Sequence, residues 1–304
     1  MSEVHVVLES GDTLGEVPLW SPSRKLLFWI DVRKPALYAY TPGPGTVRTY
    51  PLPELVGSFC ETSQGRVLLA LKSGLYFLDL DSGQLQPWFD PEPNLPNNRL
   101  NDGKCDRQGR FWVGSMNDGD RIPTGTLYSV LGNGKARGHF SGITVPNSLA
   151  WSPDGKTMYF ADTPTKRILA FDFDVDDGVL HNARTFLEMA DHTGRPDGAT
   201  IDAQGCLWSA EIHAGRVARY TPDGRLDKAV QLPVTSVTSC AFGGERLETL
   251  FITTATQGMT DQVRQEQPLA GALFAVNVGV SGVVETPFAE ASEDSQQTRK
   301  QGDI

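Results

Sequence analysis

Short runs of alternating apolar and polar residues recur along this chain, and they recur in register. ALYAYTP from Ala36, GLYFLDL from Gly74, GTLYSVL from Gly125, RILAFDF from Arg167, GRVARYTP from Gly215 and GALFAVNV from Gly271 each place apolar side chains at a spacing of two. That is the period of a half-buried strand. Each run follows a more continuously apolar unit that opens on a small or polar residue. These units are GEVPLWSPSRKLLFWID from Gly15, GSFCETSQGRVLLALK from Gly57, NDGKCDRQGRFWVGSM from Asn101, PNSLAWSPDGKTMYFADT from Pro146, PDGATIDAQGCLWSAE from Pro196 and TSCAFGGERLETLFITT from Thr238.

Aligned on one another, the six units place residues 16, 57, 101, 147, 197 and 238 at the same position. A repeat of this length, in the range of about 40 to 50 residues, is that of propeller blades. Ser-Pro-Asp-Gly at 152–155, Gln-Gly at 108–109 and 204–205, and Pro-Asp-Gly at 222–224 supply residues suited to tight turns. The pattern predicts an all-β fold, a six-bladed β-propeller with a central metal-binding channel, as a single domain over residues 1–290. A sandwich would not repeat a three- or four-strand unit, and a β-helix would repeat far more often. The strand around Val4 to Leu8 precedes the first unit and is expected to supply the outer strand of the sixth blade, closing the ring.

Composition sharpens the picture in a few places. With 39% hydrophobic residues, 31 Gly and 20 Pro, the chain can build a core and must turn often. The formal net charge of −10 argues against nucleic acid and anionic membrane as partners. No long apolar stretch or basic leader is present, so a soluble, cytoplasmic protein with no obligatory protein partner is expected. Cys60, Cys105, Cys206 and Cys240 lie far apart without metal-ligand spacing, which predicts buried reduced thiols. Residues 291–304, ASEDSQQTRKQGDI, are nearly devoid of apolar side chains and are expected to be disordered.

If the blades surround a channel, the aligned position forms a ring: Glu16, Gly57, Asn101, Asn147, Asp197 and Thr238. Asn, Asp and Gly are also common turn residues. Four carboxylate or amide side chains in register, two of them carboxylates, make a shared cation the economical reading, since two carboxylates on a narrow axis otherwise repel. An all-oxygen set suits Ca²⁺, Mg²⁺ or Mn²⁺, and Zn²⁺ or Fe²⁺ also accept carboxylates. Arg99, two residues before Asn101, can point to the same side of an extended segment, as a ligand-binding group or as one half of a surface ion pair. The five histidines (His5, His139, His181, His192, His213) miss the ring and are expected on surfaces or loops. Ser58 and Ser148 lack a nucleophile elbow, and no Gly-rich phosphate loop is present.

The elements LGEVPLW at 14–20, RLNDGKCDRQGRFWVGSM at 99–116, PNSLAWSPDGKTMYFAD at 146–162, RPDGATIDAQGCLWSA at 195–210 and TSCAFGG at 238–244 resemble the regucalcin/gluconolactonase family, also called the senescence marker protein family. The resemblance spans about Leu14 to Phe288. It implies one divalent metal on the channel axis, held by Glu16, Asn147 and Asp197 with Asn101 near metal or substrate, and Arg99 binding the substrate. It also implies hydrolysis of an aldonolactone, such as glucono-, xylono-, arabinono- or galactonolactone, with a calcium-binding regulatory propeller as the alternative. Ser148 stands where the family commonly has Gly, a change expected to be tolerated. The loop after Met116 is short, which leaves Asn117 and Asp118 as its candidate sugar contacts. In the mechanism this predicts, Asp197 takes the proton of an attacking water.

Overall fold

The computed structural model describes residues 3–189 and 193–291. The expected disordered tail, apart from Ala291, lies outside the described residues, as does His192. The chain opens with β1 (His5–Leu8). Blade 1 is β2 (Gly15–Ser21), β3 (Leu26–Asp31), β4 (Ala36–Thr41) and β5 (Thr46–Pro51). Blade 2 is β6 (Val56–Glu61), β7 (Val67–Leu71), β8 (Gly74–Leu78) and β9 (Leu85–Phe89). Blade 3 is β10 (Asn98–Cys105), β11 (Phe111–Asn117), β12 (Gly125–Val130) and β13 (Ala136–Ile143). Blade 4 is β14 (Pro146–Trp151), β15 (Thr157–Asp162), β16 (Arg167–Asp174) and β17 (Val179–Glu188). Blade 5 is β18 (Arg195–Ile201), β19 (Leu207–Ile212), β20 (Arg216–Tyr220) and β21 (Leu226–Gln231). Blade 6 is β22 (Val237–Gly243), β23 (Thr249–Thr254) and β24 (Leu273–Asn277), with β1 as its fourth strand. One short helix, α1 (Asp261–Glu266), lies between β23 and β24, and no helix among the described residues is long and apolar enough to cross a membrane.

The chain therefore folds as the six-bladed propeller that the repeats predict. Closure also follows the expectation: β1 runs antiparallel to β24, with His5 opposite Ala275 and Val6 opposite Phe274. Joining the N-terminal strand to the last blade leaves no open edge inside the ring. The core lies between blades, where apolar faces of neighbouring sheets interdigitate. Phe28, Leu37, Phe59 and Leu69 join blades 1 and 2, and Trp20 stacks on Phe251 at 6.3 Å to join blades 1 and 6. All four cysteines are free and buried, as expected.

A second repeat explains the similarity of DRQGRFW and DAQGCLW. Asp106 accepts hydrogen bonds from the backbone N–H groups of Gln108 and Arg110 and from Trp112 Nε1 at 2.8 Å, and it pairs with Arg110 Nε at 2.6 Å. Asp202 does the same with Gln204, Cys206, Trp208 Nε1 at 2.9 Å and Arg219 Nε at 2.7 Å. One carboxylate thus closes the turn between the first two strands and orients the buried indole behind it. The C-terminal segment crosses these same turns at the end of the channel away from the ring. Phe288 is fully buried against Phe77 and Trp88, and Ala289 N–H donates to Gly109 O.

Asp12 belongs to the closure region. Its Oδ2 accepts hydrogen bonds from Trp29 Nε1 at 3.0 Å and from Ser10 Oγ at 2.9 Å, and its backbone N–H donates to Gly271 O. Burial, opposed by the Ser10 hydrogen bond and reinforced by the charge of Asp31, pushes its pKa up to about 7. The unfolded chain releases this proton near pH 4, whereas the folded chain holds it until about pH 7. The contribution is therefore complete below the unfolded value and is lost as pH rises through the folded one. Chemical denaturation between pH 4 and pH 8 should show stability falling with pH in the wild type, and Asp12→Asn should flatten that slope.

Candidate functional site

The six aligned positions stand at the mouths of the inner strands, and each strand is irregular there. Register breaks fall at Glu16/Leu19, Val56/Ser58, Leu100/Gly103, Asn147/Ala150, Pro196/Ala199 and Val237/Ser239. A bulge lets a strand re-aim a side chain that regular pleating would send into the sheet. Val17 and Ser148, each following a ring residue, adopt left-handed backbone angles of φ 48° and 60°. At Ser148 this explains why glycine would suit the position. The serine is accommodated because its Oγ donates to Asp197 O at 2.6 Å, tying blade 4 to blade 5.

Two of the six positions bring no side chain to the cavity, for physical reasons. A Cβ on Gly57 would lie 2.2 Å from Leu100 O, so the inner strand of blade 3 leaves room only for glycine. Thr238 is buried and turns its hydroxyl to Gly15 O and Thr253 Oγ1. The other four, Glu16, Asn101, Asn147 and Asp197, line one cavity of about 300 Å³ together with Arg99.

Within that cavity the side chains are fixed from behind. Asp31 accepts from the N–H groups of Thr13 and Leu14 just before β2, and Asp162 from those of Thr144 and Val145 just before β14. These contacts set the approach of the strands carrying Glu16 and Asn147. Asn147 Nδ2 donates to Thr163 Oγ1 at 2.8 Å, and that hydroxyl donates to Pro196 O. Asn147 Oδ1 is thereby left facing the cavity, 3.5 Å from Asn101 Nδ2. Asn101 is held differently. Its Nδ2 donates to Pro146 O at 2.9 Å, while its Oδ1 accepts from Arg99 Nη1 at 2.7 Å.

Neither the Glu16 nor the Asp197 carboxylate accepts a hydrogen bond from another side chain among the described residues. Burial and the neighbouring Asp197 and Asp102 carboxylates push the Glu16 pKa well above its ordinary value. Burial and Asp102 do the same to Asp197. Asp102 is itself raised by burial, although Lys104 opposes the shift, and it accepts from Leu149 N–H at 3.1 Å. Two carboxylates, that of Asp197 buried and that of Glu16 partly so, and an amide oxygen, without a bonded cationic side chain, match the donor set of a hard divalent cation. Among the described residues, no three His, Cys, Asp or Glu side chains converge, so the set depends on the amide oxygen of Asn147.

Arg99 is not part of a surface ion pair. It is buried, and its Nε lies 3.0 Å from Asp118 Oδ1. Arg33 grips the same carboxylate through both terminal nitrogens, at 2.5 and 2.9 Å, and donates from Nε to Gln257. Asn117 and Asp118, expected as sugar contacts, do not line the axial cavity. They border an adjoining pocket of about 330 Å³ that shares Arg99 with it. Asn117 is buried, and its Oδ1 accepts from Asp120 N–H within the loop.

Several residues at the site were missed by the sequence reading: Asp102, Arg33, Thr163, Arg121, Arg195, Gln257 and His213. His213, expected on a surface or loop, is exposed on the connection between β19 and β20, and there it lines the cavity. His139 is also no simple surface residue, since its ring stacks on Trp112 at 4.2 Å. Asp102 had one available signal, its place next to Asn101 at a strand mouth. It falls within the register break between Leu100 and Gly103, where alternation does not say which way a side chain points.

Asp118 shows how the charges are arranged. Burial alone would raise its pKa, but hydrogen bonding to Arg33 and the charges of Arg99 and Arg33 hold it down at about 2. Asp118→Asn leaves two guanidiniums facing one another without a counter-charge. Denaturant unfolding at pH 7 should register a loss of about 2–4 kcal/mol.

The description "SMP-30/Gluconolactonase/LRE-like region" matches residues 14–256 of this chain. The 6-deoxy-6-sulfogluconolactonase of Pseudomonas putida is 38% identical over 285 residues, which are 93% of this chain and 97% of that one. The L-arabinolactonase of Azospirillum brasilense is 32% identical over 95% of this chain and 98% of its own. A solved structure described as a calcium-binding protein, regucalcin, from Agrobacterium tumefaciens superposes with a TM-score of 0.90 at 30% identity, covering 93% of this chain and 96% of that chain. The shared fold and the match over most of the chain agree, and the chain belongs to the SMP-30/gluconolactonase/LRE-like family.

Proposed function

We propose that this protein hydrolyses a sugar lactone to the corresponding aldonic acid, with one divalent cation held by Glu16, Asn147 and Asp197. The observation that carries this reading is the pair of carboxylates from blades 1 and 5 that face one small polar cavity with no bonded cationic partner. Relatives named 6-deoxy-6-sulfogluconolactonase and L-arabinolactonase support the substrate class. A cation bound there neutralises the two carboxylates and supplies Lewis-acid chemistry for an ester.

The remaining roles belong to the chain itself. Asp197, buried at the cavity floor, accepts the proton of the water that attacks the lactone carbonyl. Thr163 fixes the Asn147 amide so that its oxygen, not its nitrogen, faces the axis. Arg99 and Asn101 form one hydrogen-bonded unit that orients the sugar hydroxyls. Because Asn101 Oδ1 already accepts from Arg99, Asn101 is assigned to substrate rather than to the inner ligand set. Asp118 acts through Arg99 and Arg33, as a positioning residue.

The direct test strips the protein of metal and assays pentono- and hexonolactones with Ca²⁺, Mg²⁺, Mn²⁺, Zn²⁺ or Fe²⁺ added back. Metal-dependent turnover of a lactone is expected. Tight cation binding with no turnover would overturn the enzyme in favour of a calcium-binding regulatory propeller. Asp197→Asn should lower kcat by roughly a thousandfold or more while the far-ultraviolet spectrum stays that of the wild type. Full activity in this variant would remove Asp197 from the chemistry. Arg99→Ala should act mainly on KM if the guanidinium holds the ground-state sugar.

A further inference from the structure

The chain carries a net charge of −10, yet the rim of the axial cavity gathers four arginines: Arg33, Arg99, Arg121 and Arg195. Arg33 and Arg99 are accounted for by Asp118, which both of them grip. Arg121 and Arg195 have no carboxylate partner among the described residues. Arg121 comes from the loop between β11 and β12 in blade 3, with its backbone in the left-handed region at φ 54°. Its side chain lines the axial cavity together with Glu16, Asn147 and Asp197. Arg195 opens β18 in blade 5, opposite Ile212 and beside the rim residue His213. The nearby carboxylate, Glu211, is already taken by Arg216 Nε and Tyr220 Oη, both at 2.6 Å.

Hydroxyl groups of a neutral sugar are satisfied by mixed donors and acceptors and need no excess positive charge. Two exposed guanidiniums with no ion-pair partner among the described residues, on separate blades and lining one cavity, present donors alone. That is the chemistry of oxyanion recognition. We propose that this rim binds an anionic substituent of the lactone, a sulfonate, phosphate or carboxylate remote from the ester carbonyl, through Arg121 and Arg195. The inference rests on the lactonase reading above and specifies its substrate class.

The test compares kcat/KM of the metal-loaded full chain for gluconolactone and for its 6-phosphate, 6-sulfonate and 6-carboxylate counterparts, at low and high salt. The wild type should prefer one anionic lactone to the neutral one by tenfold or more, with a preference that shrinks as salt rises. The double variant Arg121→Ala/Arg195→Ala should lower the anionic-to-neutral ratio by roughly 10- to 100-fold. Arg121→Lys/Arg195→Lys should keep part of it. The ranking among the three anions identifies the group. A ratio unchanged in the double Ala variant overturns the inference, and so does a change confined to inhibition by the aldonate product, which would assign the arginines to product. If the wild type turns over no lactone, the lactonase reading fails. The rim is then judged by calorimetry with 6-phosphogluconate and gluconate, where equal affinities in wild type and double variant overturn it.

Discussion

Six inner strands converge on one axis, and their crowding governs most of what the molecule can do there. At the mouth of every inner strand the ladder to its neighbour breaks for one or two residues. These bulges turn side chains out of the sheet and toward the channel. The same crowding decides which blades contribute. Blade 2 approaches blade 3 so closely that only Gly57 fits, and Thr238 of blade 6 is drawn into bonds with its neighbours. The site is therefore asymmetric although the fold is a repeat.

Charge is layered along that axis. Glu16 and Asp197, with Asp102 close by, make the cavity floor acidic, and burial makes their joint ionisation unfavourable without a cation. Above them, Arg33 and Arg99 share Asp118, and Arg121 and Arg195 line the same cavity. In a protein of net negative charge this basic rim is local, and it lies at the end of the axis away from the turns that the C-terminal segment crosses. Orientation is supplied by neutral groups. Thr163 holds Asn147, and Arg99 holds Asn101, so two amides in equivalent repeat positions present different atoms to the cavity.

Stability comes from elsewhere in the blades. Neighbouring sheets bury aromatic side chains between them, and in blades 3 and 5 a single carboxylate secures both a turn and the indole behind it. Ring closure by β1 joins the two ends of the propeller, with Asp12, Trp29 and Gly271 tied together beside it. These features lie away from the axis, which leaves the strand mouths free to depart from regular pairing.

The repeat, the number of blades, the closing strand and the ring of Glu16, Asn101, Asn147 and Asp197 were all legible in the sequence. Each is written at a fixed spacing, and a solenoidal or radial fold converts equal spacing into equal height. The assignment of Arg99 to the same cavity was legible for a related reason, since two residues along a strand return to one face. Contributions from irregular segments were hidden. Arg33, Arg121, Thr163 and His213 reach the cavity from connections whose path no periodicity specifies, and Asp102 turned with a bulge that breaks the alternation by which strands are read. Asn117 and Asp118 stood in the right loop, but only the three-dimensional arrangement of Arg33 and Arg99 made Asp118 an electrostatic anchor, while Asn117 bonds to Asp120 within the loop. The sequence by itself determined which residues share a level around the axis, because that depends on counting residues. Which atoms face the axis was decided by tertiary structure, because it depends on contacts between blades that are distant in the chain.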